Sequence, residues 1–75
     1  MKVRIYTTPV CAYCKMAKDY FASKNVKYEE IGLVGNIEAQ QLVTSKTGMV
    51  AAPILEINGK FIVGFDRVKI NEALK

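Results

Sequence analysis

The dipeptide Asn58-Gly59 does most to limit what this chain can fold into. It separates two strand-length apolar runs, PILEI at 53–57 and KFIVGF at 60–65. A two-residue connection joins antiparallel strands without splaying them only in turns whose central residues have positive φ, and Asn-Gly tolerates those angles. The spacing therefore predicts an antiparallel hairpin in the last third of the chain.

Upstream, VRIY at 3–6 alternates Val3 and Ile5 against Arg4 and Tyr6 and reads as a first strand, which Pro9 keeps from continuing. From Tyr13 the apolar residues fall at Tyr13, Met16, Ala17, Tyr20 and Phe21, one stripe of a helix, with Asn25 as its stop. VKYEEI at 26–31 alternates again, Val26 and Tyr28 against Lys27 and Glu29, as a second strand does. Gly32 to Gly35 make a break. Asn36 then caps a second helix from Ile37 towards Lys46, anchored by Ile37, Leu42 and Val43 and ended by Gly48. After the hairpin, Asp66 caps a short last helix whose Ile70, Ala73 and Leu74 face inward.

The order is βαβαββα. A strand, helix and strand in succession imply a parallel pair with a right-handed crossover, and the hairpin adds two antiparallel strands. The expected fold is α/β: a four-stranded mixed sheet with helices on both faces, and residues 1–75 as a single domain. Seventy-five residues give one modest core, and half the chain is apolar, as in folded proteins. No apolar run approaches the ~20 residues that span a bilayer, and MKVRIYTTP lacks the apolar core of a secretion signal. The expectation is a soluble cytoplasmic protein. Eleven Lys and Arg against seven Asp and Glu give a net charge of +4. The bases are scattered, with no run of five like charges and no basic-aromatic motif, so a solvated surface that steers acidic partners is expected, and no nucleic acid.

The only cysteines, Cys11 and Cys14, lie between the first strand and the first helix. The cytoplasm keeps thiols reduced, so a lone pair there cycles or binds metal, and a crosslink three residues apart restricts the unfolded chain little. Free N–H groups and the dipole at a helix N-terminus favour an anion, which makes Cys11 the more acidic thiol and the nucleophile. Cys14, one turn on and covered by the helix, suits the resolving role. Cys11 would attack a substrate disulfide, and Cys14 would displace the product from the mixed disulfide. Ala12 and Tyr13 shape the space beside the nucleophile; Tyr13 is open to two readings, a core residue or a ring flanking a substrate groove. A closed metal site needs four ligands, and this chain offers two cysteines and no histidine, so the other reading is a dimer holding a metal or iron–sulfur cluster through Cys11.

A C-x-x-C in this position is a thioredoxin-like redox motif, and the resemblance is sharper than the motif. YTTPVCAYCKMAK resembles the active-site segment of glutaredoxins and glutaredoxin-like redoxins of the thioredoxin-fold superfamily, and VAAPILEINGKFIVGFD resembles the family's proline, hairpin and glycine turn before the last helix. The resemblance implies a thioredoxin-like fold and a thiol–disulfide oxidoreductase. It makes Pro53 a cis-proline facing the cysteines, with the Ala52 backbone as an edge for substrate pairing; a trans proline that opens an edge strand is the alternative. It places Gly64, Phe65 and Asp66 where glutathione-using members hold the γ-glutamyl end, and Asp66 also reads as a plain helix cap. The motif here is Cys-Ala-Tyr-Cys without the family's common central proline, Ala52 stands where valine is usual, and Gly64 stands where many glutathione users have two glycines. A related group of small redoxins supplies electrons to ribonucleotide reductase and is recharged by thioredoxin reductase. The resemblance thus implies no tightly bound cofactor, a protein or small-molecule disulfide as substrate, with ribonucleotide reductase a candidate, and glutathione or thioredoxin reductase as electron source; no membrane and a monomer are expected.

Overall fold

In a computed structural model, which describes residues 2–75, the chain runs β1 (Val3–Thr7), α1 (Ala12–Ser23), β2 (Glu29–Gly32), α2 (Ile37–Thr47), β3 (Ile54–Ile57), β4 (Lys60–Val63) and α3 (Arg67–Leu74). The strands form one mixed sheet in the order β2-β1-β3-β4. β2 lies parallel to β1, with Tyr6 opposite Ile31, and β3 lies antiparallel, with Tyr6 opposite Ile54. This is the predicted thioredoxin-like architecture. Asn58 and Gly59 take φ of 51° and 85°, and Ile57 pairs with Lys60 to close the hairpin.

Alternation along the strands sends side chains to two cores. On one face Val3, Ile5, Leu55, Ile57 and Ile62 pack against Ala17 and Phe21 of α1 and Ile70 of α3. On the other, Tyr6 and Ile54 pack with Leu33 against Ala39 and Val43 of α2. Tyr6 is therefore buried on the α2 face, where its hydroxyl donates to Glu56 Oε1 at 2.8 Å. Arg4 lies beside it and spans Glu29 and Glu56, a polar clasp across β2, β1 and β3.

Several expectations are corrected. The buried stripe of α1 is Cys14, Ala17 and Phe21, whereas Tyr13 and Met16 are 61% and 48% exposed. Each residue turns about 100° around the axis. With Cys14 occupying the inner sector next to Ala17, the core direction swings away from Met16. The second strand starts at Glu29, not Val26. Asn25 takes φ 57°, its N–H donates to the Ala22 carbonyl, and the Val26 N–H reaches back to the Phe21 carbonyl at 2.9 Å. That is a Schellman closure, in which Val26 covers the end of α1 and packs on the Phe21 core. In α2 the cap is as expected: Asn36 accepts from the Ala39 N–H, and Gly48 closes the helix at φ 81°. Ile37, however, is 67% exposed, because Ala39 and Val43 supply the buried side and Ile37 sits on the outward side of the first turn. Asp66 caps α3 by accepting from the N–H groups of Val68 and Lys69, and Ile70 is buried.

Candidate active site

Cys11 is the N-cap of α1, held in extended conformation at φ −152°, so its side chain turns back over the first helical turn. The Cys14 N–H donates to Cys11 Sγ at 3.1 Å. This is one of the otherwise unpaired N–H groups of a helix start, aimed at sulfur. The Cys11 and Cys14 α-carbons are 5.2 Å apart, and the two sulfurs are joined as a disulfide. Cys14 is 2% exposed on the inner face of α1, while Cys11 lies nearer the surface. Lys15 adds little positive field, since it pairs with Asp19 at 3.1 Å where both side chains are well solvated.

The other predicted site residues fall into three groups. Tyr13 is exposed on the first turn of α1, so of its two readings the core one is excluded. The Ala52–Pro53 bond is cis, and Pro53 is buried. The pairing of Ile54 with Tyr6 puts Pro53 at the sheet end from which β1 leads to Cys11, and the Gly64 N–H donates to the Pro53 carbonyl at 2.8 Å. Ala52, Pro53 and Gly64 thus form one turn assembly, with Gly64 at φ 86°. Asp66 follows, with Oδ1 committed to the cap of α3. The Phe65 ring goes elsewhere: it packs edge-on against Tyr20, centroids 5.8 Å apart, and against the core beneath α1 and α3.

A surface cleft of about 510 Å³ opens beside the cysteines. Its wall holds a group absent from the sequence reading: Glu30 Oε2 accepts from Thr7 Oγ1 at 3.1 Å and from Lys18 Nζ at 3.2 Å. Lys18, four residues after Cys14, could have been found by helical spacing; Glu30 needed the β1–β2 register. Among the described residues no cluster of three or more His, Cys, Asp or Glu is arranged to hold a metal ion, and one chain supplies only two thiolate donors. A closed four-ligand site does not fit this donor set. No helix among the described residues is long and apolar enough to cross a membrane.

The sequence pattern of the glutaredoxin family matches residues 3–62, a span that holds β1 through most of β4 and both cysteines. The chain belongs to the glutaredoxin family. It is 29% identical over 73 residues to a glutaredoxin-like 8.6 kDa protein of the rubredoxin operon of Clostridium pasteurianum, covering 97% of each chain. Glutaredoxin 3 of Escherichia coli strain K12 is 33% identical over 64 residues, covering 85% of this chain and 77% of that one. The crystal structure of a glutaredoxin from Methanosarcina mazei superposes with a TM-score of 0.88 at 29% identity, over 97% of this chain and 77% of that one. With the Cys11–Cys14 pair in place, this glutaredoxin is a thiol–disulfide redox protein.

Proposed function

We propose that the protein is a dithiol oxidoreductase of the cytoplasm that reduces disulfides in proteins or small molecules, with ribonucleotide reductase a candidate substrate, Cys11 attacking and Cys14 resolving. The carrying observation is the Cys14 N–H directed at Cys11 Sγ from the start of α1. A thiolate there gains a hydrogen bond and the positive end of the helix dipole, while the Cys14 sulfur is buried where an anion is poorly solvated. The Cys11 thiolate attacks one sulfur of a substrate disulfide, a mixed disulfide forms, and the first substrate thiolate leaves with the electron pair. Cys14, having lost its proton, then attacks Cys11 Sγ, and the second substrate thiolate is released as the Cys11–Cys14 disulfide closes.

Substrate would lie along the Ala52–Pro53 segment and the Tyr13 ring, with the Gly64–Phe65–Asp66 turn beside it. A turn that starts a helix offers N–H groups to a carboxylate such as that of glutathione. Electrons return from glutathione or from thioredoxin reductase, and no tightly bound cofactor is needed. The test is a disulfide-reduction assay. Cys11→Ser should abolish turnover, whereas Cys14→Ser should accumulate a mixed disulfide with substrate, detectable by mass; turnover by Cys11→Ser equal to the parent would remove the assignment. NADPH consumption with glutathione plus its reductase, set against thioredoxin reductase, identifies the donor.

A further inference from the structure

Cys14 is 2% exposed, yet in the resolving step it must shed a proton and become an anion in a place that solvates anions poorly. Something beside it has to compensate. The titratable groups that face the cleft with it are Cys11, Lys15, Lys18 and Asp19 from the α1 side and Tyr28 and Glu30 from β2 and the segment before it. The β1 side contributes only the hydroxyls of Thr7 and Thr8 and the ring of Pro9 along this cleft and its continuation. Lys15 and Asp19 satisfy each other out in solvent, with side chains 76% and 68% exposed. Lys18 is also paired with a carboxylate, but it is less exposed and lies on the Cys14 side of α1. It stands four residues beyond Cys14 on the same side of α1, a spacing that makes the two neighbours on the helix surface, and helical side chains lean back towards the N-terminus, here towards Cys14. Its side chain is only 31% exposed, and its ammonium is fixed 3.2 Å from Glu30 Oε2, an oxygen also held by the buried Thr7 hydroxyl.

We propose that Lys18, kept at the cleft wall by Glu30 and Thr7, is the positioning cation of the resolving step, stabilising the Cys14 thiolate as it forms. The inference rests on the dithiol mechanism proposed above and deepens it. In the mixed disulfide, Cys14 gives its proton to the solvent of the cleft, and the ammonium of Lys18 turns from Glu30 towards the new anion. Cys14 Sγ bonds to Cys11 Sγ, the bond from Cys11 to the substrate sulfur breaks, and the departing thiolate takes the electron pair. Lys18 then returns to Glu30 with its proton count unchanged. Glu30 sets the strength of the effect, since its negative charge opposes a second anion nearby.

The experiment is a single turnover of the reduced protein with dithiobis(2-nitrobenzoate), which releases one coloured thiolate when Cys11 attacks and a second when Cys14 resolves. The second phase is followed against pH in the parent, Lys18→Met and Glu30→Gln. An opposite charge within about 4–6 Å moves an ionisation by about one to three pH units. Lys18→Met is therefore expected to move the midpoint of the second phase up by about one unit, slowing it about tenfold at pH values below that midpoint, while the first phase stays as in the parent. Glu30→Gln should move the midpoint down. An unmoved midpoint in Lys18→Met, or a drop that is uniform at every pH, overturns the proposal. So does an upward move in Glu30→Gln, which would instead make Glu30 the acceptor of the Cys14 proton. A missing first phase in the parent would mean that the dithiol mechanism itself is wrong, a result distinct from all of these.

Discussion

The amide of Cys14 donates to the sulfur of Cys11 across 3.1 Å, so in the proposed mechanism the resolving residue also supports the attacking one. The bond exists because Cys11 caps the helix and Cys14 occupies the position whose N–H a cap side chain reaches. In the reduced protein the Cys11 thiolate should therefore persist to lower pH than an ordinary thiol near 8.5. Alkylation by iodoacetamide at pH 6, followed by peptide mapping, is expected to label Cys11 at least about tenfold faster than Cys14. Equal labelling would contradict the polarity of the pair.

Gly64 offers a clean test of the turn assembly beside Pro53. A methyl group added there meets nothing within 4 Å, so the cost of Gly64→Ala comes from its φ of 86° alone. That conformation costs an L-residue about 1–2 kcal/mol. Urea unfolding should show a loss of that size, and the activity of the folded variant should fall as well if the bond from the Gly64 N–H to the Pro53 carbonyl shapes the substrate edge.

Asp66 carries the cap of α3 through one oxygen that accepts two N–H groups. Asp66→Ala should cost about 1 kcal/mol, which lowers Tm by roughly 4–8 °C in a domain of this size. Asp66→Asn keeps an acceptor in place and should melt close to the parent. Thermal unfolding by circular dichroism separates the two.

Tyr6 predicts an alkaline weakness. Burial and then its hydrogen bond to Glu56 raise the phenol above its ordinary 10.0. Above that pH the unfolded chain gives up a proton that folded Tyr6 retains. The native state then binds more protons than the unfolded one, and stability falls as pH climbs from about 10 through the raised folded value. Tyr6→Phe should lose about 1 kcal/mol at pH 8 from the missing hydrogen bond, yet decline less steeply between pH 9.5 and 11. Urea midpoints across that range check both parts; parallel curves would show that Tyr6 is not the group concerned.

The hairpin, the caps at Asn36 and Asp66, the crossover and the place of Cys11 were legible in the sequence because each rests on neighbours in the chain. Asn58-Gly59 needs no distant partner to declare its turn, and a cap is written within four residues. What stayed hidden depends on contacts from afar. Val26 alternates like a strand residue but is spent on closing α1, and its fit against Phe21 decides that. Tyr13 and Met16 satisfy helical periodicity, but Cys14, read as chemistry, also takes a place in the core. Phe65 sits within the glycine turn in sequence while its ring is drawn under α1 by Tyr20. The Lys18–Glu30 pair joins residues twelve apart that only the packing of α1 on β1 and the pairing of β1 with β2 bring within reach.

The outer strand β2 presents Glu29 and Glu30 at the margin of the sheet, both exposed. An open margin invites strand addition from another molecule, and the ion pairs of Glu29 with Arg4 and of Glu30 with Lys18 resist it, because a strand docked there would have to bury or break them. For a thiol–disulfide redox protein such a guarded border leaves encounters to the end that bears the sulfurs.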